Sequence, residues 1–272
     1  MKEESDPEYV QEIFGRVHKA FGKLREAVSS YRPDAIIMVG DDQGDMFDRS
    51  NNPTISIYTG TDRIWGKGGY EWDKAPADRK TVCFDNHVEL SRVLLKGLIK
   101  RGFDIANSET FKPAGKPDVG ASHMVSRIVP ELDPSGTIPI ICVFINEYFP
   151  PLPTANRCAQ LGVAISEIFA GRPERLAICA SGGLSHYLGG PHQGAIDVPL
   201  DTWILEQLAV NDIEALTHLF AFDSDALTSG TGEVRAWITV AAAMNRAATI
   251  VDYMPIHSVI TGCGFALWPA QS

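Results

Sequence analysis

The chain has 272 residues, 44% apolar and 21% charged, ordinary proportions for one globular domain with enough apolar material for a sizeable core. Its formal net charge of -10 opposes nucleic acid or an anionic membrane surface as a partner, because phosphate contacts need clustered Lys and Arg. There is no apolar run of about eighteen residues to span a membrane and no apolar stretch after Met1 to serve as a signal peptide, so the expected location is the cytoplasm.

Asp6 to Tyr31 carries apolar residues at Val10, Ile13, Phe14, Val17, Phe21, Leu24 and Val28. This is the helical period, with Asp6 and Pro7 placed as cap and first-turn residue. Pro33 and Asp34 stop that helix, and Ala35 to Val39 reads as a buried strand ending in Gly40-Asp41-Asp42-Gln43. Thr54 to Tyr58 is a second strand. The stretch from Gly60 to Thr81, with Trp65, Tyr70 and Trp72, shows no apolar period and reads as a lid or a subunit contact.

A helix follows from Asn86 to Gly102, capped near Asp85 or Asn86. Ile138 to Ile145 is a strand, Thr154 to Phe169 a helix, Leu176 to Ala180 a strand, Leu200 to Leu208 a helix and Glu233 to Ala248 another. This alternation predicts the α/β class: a single domain, residues 1–272, with a mixed central sheet flanked by helices. Its five cysteines (Cys83, Cys142, Cys158, Cys179 and Cys263) show no Cys-x-x-Cys spacing and read as small apolar residues rather than disulfides or zinc ligands.

Several polar residues stand where α/β proteins keep their chemistry. His186 follows the strand through Gly182-Gly183, which allow a sharp turn with unusual backbone angles. It reads either as a general acid or base or as a turn histidine that only packs. Glu233, in Ser229-Gly-Thr-Gly-Glu233 before an apolar helix, lies where a helix N-terminus favours negative charge and where glycines let a ligand come close, though a first-turn glutamate is also common. Asp41 and Asp42 repel each other unless a cation, an arginine or solvent compensates them. His123 is a donor behind the site or a satisfied buried histidine.

Taken in order, these segments resemble the class III extradiol ring-cleaving dioxygenases, the superfamily of protocatechuate 4,5-dioxygenase β subunits and gallate-type dioxygenases. The resemblance runs through Gly40-Asp-Asp-Gln43, Asn146-Glu-Tyr-Phe-Pro-Pro151, Gly182-Gly-Leu-Ser-His186, Glu233-Val-Arg-Ala-Trp237 and Thr261-Gly-Cys-Gly264. It implies Fe(II) held by two histidines and a glutamate, with positions left open for a catecholate and O2. Glu233 matches the glutamate, His186 the acid/base histidine and His123 the second-sphere histidine. Asp42, Asn146 and Tyr187 fall among residues expected near the substrate.

The family's iron histidine after this strand is replaced by Gln43, a weaker donor. The family's opening strand and its histidine segment are also missing before Pro7, so that the chain either starts at an internal methionine or lacks one strand and one ligand. The resemblance therefore predicts an Fe(II)-dependent dioxygenase acting on a small aromatic substrate. The alternatives are a metal-poor binding or structural member of the family, and hydrolysis or lyase chemistry with another cation. A homo-oligomer is expected, and family members often carry a small helical partner subunit.

Overall fold

Two continuous apolar segments build the middle of the sheet. β1 (Ala35–Gly40) and β6 (Ile140–Ile145) are buried at every position, as parallel strands covered on both faces must be. They pair in parallel with Ile37 beside Ile141, and β7 (Leu176–Ser181) pairs in parallel with the other side of β1. β2 (Ile55–Tyr58) runs antiparallel to β6, and β5 (Ala106–Ser108) parallel to β2. The order is β5-β2-β6-β1-β7. This computed structural model describes residues 6–68, 80–221, 224 and 227–270.

Alternate residues serve opposite faces of the sheet. Ile37, Val39, Ile141 and Val143 enter one core with α5 (Ala155–Phe169) and α8 (Val234–Met244). Ile36, Met38, Ile140 and Cys142 enter a second with the short helices α3 (His123–Ser126) and α4 (Ile128–Leu132). The α/β class and the mixed central sheet flanked by helices are as the sequence predicts.

Helix ends follow local chemistry. α1 (Pro7–Tyr31) starts where Asp6 accepts the Glu8 N–H at 2.9 Å. α2 (Val88–Lys100) is capped by His87, one residue later than expected, because the Asn86 amide is engaged with Gly60 O at 2.8 Å. α6 (Val198–Val210) begins at Asp197, and α7 (Ile213–Thr217) follows it. α5 and α8 press together at Gly162, where a side chain would run into the carbonyl of Thr239.

Three regions differ from expectation. α8 stops at Met244, where Asn245 takes a left-handed conformation (φ 43°), and the chain then forms an antiparallel hairpin, β8 (Thr249–Ile256) with β9 (Thr261–Leu267). Within Gly60 to Thr81, β3 (Ile64–Lys67) pairs with β4 (Thr81–Phe84). Trp65 is partly buried and packs edge-on against Phe111. The rest of that expected lid, including Tyr70 and Trp72, lies outside the described residues.

Among the described residues no strand pairs with the outer edge of β7. That edge faces a groove of about 1590 Å³ between α1, β7 and β9. Phe14, on α1, is 64% exposed beside it. No helix among the described residues is long and apolar enough to cross a membrane.

Candidate active site

Three parallel strands end on the same side of the sheet, and each delivers polar residues there. β1 is followed by Asp41, Asp42 and Gln43, β6 by Asn146, Glu147 and Tyr148, and β7 by the turn that carries His186. Glu233 arrives from the opposite direction, closing a short 3-10 turn (Ser229–Glu233) and starting α8. Gln43, His123, Tyr148, His186 and Glu233 line the inner end of the groove.

His186 is 5% exposed. Its Nδ1 lies 2.8 Å from Leu184 O, an acceptor only, so the ring carries a proton on Nδ1 and directs Nε2 into the site. The turn is clamped from two sides. The Ser185 N–H donates to Asp201 Oδ1 at 2.7 Å, and Leu184 and Ser185 exchange backbone hydrogen bonds with Gly262. Asp201 is itself fixed by the Tyr253 hydroxyl at 2.7 Å.

Gly182 and Gly183 have no left-handed backbone angles. They are needed for space: a side chain on Gly182 would press on Glu233, and one on Gly183 on His186 and Thr261. Gly230 and Gly232 likewise leave room for His186 and the Glu147 carbonyl. At Gly182 and Gly183 space, rather than a left-handed backbone, is what requires glycine.

Glu233 is 3% exposed, and both of its carboxylate oxygens accept hydrogen bonds. Oε1 accepts from the Gln43 amide at 2.8 Å and from the Tyr148 hydroxyl at 2.8 Å, and Oε2 from the Gly183 N–H. His186 Nε2 lies 3.8 Å from Oε1. The start of α8 is held by the buried Arg235, which donates to Pro153 O at 2.7 Å and stacks on Phe220. Trp237 Nε1 donates to Gly182 O at 2.9 Å.

Backbone N–H groups meet the Asp41–Asp42 pair. Asp41 accepts from the backbone of Gln43 and Glu147, and burial pushes it up to about 8. Asp42 accepts from the backbone of Met46 and Phe47, and burial pushes it up to about 6. Both hold loops in place. Asn146 does the same, accepting from Phe149 N and donating to Phe149 O, and Tyr187 packs against His192. Asp42, Asn146 and Tyr187 therefore stand behind the groove and do not line it. His123 does line it, and burial lowers its basicity, which keeps the ring neutral.

Two residues that sequence reasoning passed over complete the site. Tyr148 lies 3.1 Å from His186 Nε2 through its hydroxyl, and burial beside Glu233 keeps that hydroxyl protonated. Glu147 is fully buried beside Asp41 and Glu233, and burial raises it well above the usual carboxylate range. The signal for both was position, because they follow β6 as Gln43 follows β1.

As a metal site the arrangement is partial. Iron(II) suits imidazole and carboxylate donors that converge while leaving open positions. Glu233 offers a carboxylate, but Gln43 points its amide N–H, not its carbonyl oxygen, at Glu233 Oε1 at 2.8 Å, so it fits a second position only with the amide turned. Among the described residues no three His, Cys, Asp or Glu side chains gather as a metal would require.

Residues 1–264 match the model of a family described as the catalytic LigB subunit of aromatic ring-opening dioxygenase. A 2,3-dihydroxyphenylpropionate/2,3-dihydroxicinnamic acid 1,2-dioxygenase from Escherichia coli (strain K12) is 26% identical over 176 residues, 65% of this chain and 51% of that protein. Its counterpart in Escherichia coli O157:H7 (strain EC4115 / EHEC) matches to the same extent. The chain thus spans about half the length of the curated relatives it matches. The crystal structure of the uncharacterized protein JW3007 from Escherichia coli K12 has a similar fold, with a TM-score of 0.54 at 14% identity, covering 90% of this chain and 92% of that one.

Proposed function

Because the chain belongs to the LigB family, within the class III extradiol dioxygenase superfamily, we propose that it opens a catecholic ring, or a related aminophenol or gallate-like ring. Both atoms of O2 enter beside the hydroxyl pair. The observation that carries this reading is a buried imidazole aimed at a buried carboxylate, His186 Nε2 to Glu233 Oε1 at 3.8 Å, at the closed end of an apolar groove.

Glu233, and Gln43 with its amide turned so that the carbonyl oxygen faces the site, would hold Fe(II), which when bound supplies the electron transfer that lets O2 react with the aromatic ring. The protein's own residues do the rest. The groove walls take the ring's apolar faces and exclude water. His186, with Nδ1 committed to Leu184 O, has Nε2 available to take a proton from a substrate hydroxyl and return it to the product. His123, kept neutral by burial, can donate to or accept from an oxygen of the substrate without adding positive charge.

The test is oxygen uptake by protein purified anaerobically and supplied with Fe(II), against a panel of catechols, gallate and aminophenols, with 2,3-dihydroxyphenylpropionate included because the E. coli relatives bear its name. Uptake with at least one substrate, lost in His186→Phe, supports the proposal. No uptake with any substrate, and no effect of His186→Phe, rejects it.

Gln43 and the absence of a three-ligand cluster among the described residues favour a second reading, a metal-poor family member that binds without turnover. Metal analysis of the folded protein separates the two, since a metal-poor member would carry no stoichiometric iron after Fe(II) is supplied.

A further inference from the structure

The hydroxyl of Tyr148 is the point at which the polar groups of the site meet. It donates to Glu233 Oε1 at 2.8 Å, faces His186 Nε2 at 3.1 Å and lies 3.5 Å from the Gln43 amide. One hydroxyl has one proton and two lone pairs. It can give its proton to Glu233 while receiving from a protonated Nε2, or turn the proton toward Nε2 while the Gln43 amide continues to satisfy Glu233.

The backbone that carries Tyr148 is fixed at several points. Asn146 N–H donates to Thr54 O at 2.9 Å, the Asn146 side chain braces Phe149 on both polar groups, and Asp41 Oδ1 accepts the Glu147 N–H at 2.8 Å. Such bracing serves a hydroxyl that must be held in place. The His186 ring is hydrogen-bonded at Nδ1 to Leu184 O and packed between Gly183 and Gly230, and the Tyr148 hydroxyl is the hydrogen-bonding group that meets its Nε2.

We propose that Tyr148 is a positioning residue for this site: its hydroxyl links Glu233 to His186 and fixes the imidazole in the direction from which it meets the substrate. The proposal rests on the dioxygenase reading for its consequence in turnover, but the link itself is present in the metal-free protein and can be tested there. Tyr148→Phe removes the hydroxyl and keeps the ring.

The first measurement is the nitrogen NMR spectrum of metal-free protein labelled in its histidines, with the His186 signals assigned by their loss in His186→Phe. In Tyr148→Phe the Nε2 resonance should move away from its hydrogen-bonded position, while Nδ1, still bonded to Leu184 O, stays in place. The second is steady-state kinetics with Fe(II). There kcat should fall by about ten- to a hundredfold with KM changed by less than about threefold, because a misdirected base slows the reaction more than it weakens binding.

An unchanged Nε2 resonance overturns the proposal whatever the activity. A fall in kcat without that NMR change also counts against it, because the effect would then be general loosening. If the wild-type protein consumes no oxygen, the dioxygenase reading fails and the NMR result still decides the link. Should Tyr148→Phe fail to fold, replacement of the tyrosines by 3-fluorotyrosine leaves the fold intact and must shift the same Nε2 resonance; no shift there is equally fatal.

Discussion

Replacing Gly230 by alanine tests the site through sterics alone. A Cβ built on Gly230 falls inside the imidazole of His186, against Nε2, Cδ2 and Cε1. Carbon atoms in contact need roughly 3.5 Å, so the ring must retreat by more than about 1 Å or the 3-10 turn must move. His186 is buried, with its turn clamped to Asp201 and Gly262, so the ring yields first and leaves Tyr148 and Glu233. Overpacking of this kind costs about 1–3 kcal/mol, a fall of roughly 2–10 °C in Tm for a chain of this size. A misplacement of about 1 Å at the reacting group costs on the order of a hundredfold in rate. Thermal melting and oxygen uptake measure the two effects. Gly15→Ala is the control, because a Cβ there meets nothing within 4 Å, and it should leave kcat unchanged. A folded Gly230→Ala protein with kcat within about twofold of wild type would refute the placement of His186 at the reacting centre.

Gln43 sits at φ 52°, a left-handed conformation that histidine also adopts, so Gln43→His should fit and exchange a weak donor for an imidazole; isothermal titration of Fe(II) should show at least about tenfold tighter binding, and unchanged affinity would remove position 43 from the metal site. Gly162→Ala drives a methyl into the Thr239 carbonyl and should cost about 1–3 kcal/mol in urea denaturation, with a neutral effect contradicting the close approach of α5 and α8. Asp41, raised to about 8 by burial, keeps its proton in the fold and loses it in the unfolded chain. A raised carboxyl contributes stability that is present below its ordinary value of 3.8 and is lost as pH rises through 8. Asp42 (raised to about 6) acts in the same sense at lower pH, whereas His123 acts in the opposite sense below its ordinary 6.5. Metal-free protein should therefore lose roughly 2 kcal/mol between about pH 6.5 and 8, at up to about 1.4 kcal/mol per pH unit for one proton; constant or rising stability over that window would contradict the burial of Asp41.

Elements whose burial shows as an uninterrupted apolar run were readable from the sequence. β1 and β6 are such runs, β7 is a half-buried apolar one beside them, and because the three are parallel their ends coincide, so Gln43 and His186 were found as strand-end residues. The β8–β9 hairpin was not readable, since it is half-buried and its one-sided pattern is interrupted by a bulge between Ile250 and Asp252. Tyr148 escaped because tyrosine after a strand is an ordinary packing residue until its hydroxyl is seen between two other groups. Asp42 and Asn146 show how a local backbone role reads in sequence. Both look chemical in sequence, and both spend their polar atoms on nearby backbone.

The central claim, that this site inserts both atoms of O2 into an aromatic ring, is most directly tested by the mass of the product formed under 18O2 by Fe(II)-supplied protein. The account predicts a ring-opened product heavier than the substrate by two oxygen atoms, with label from the gas in both, and its loss in His186→Phe. A product with a single labelled oxygen, or with oxygen drawn only from water, would contradict it.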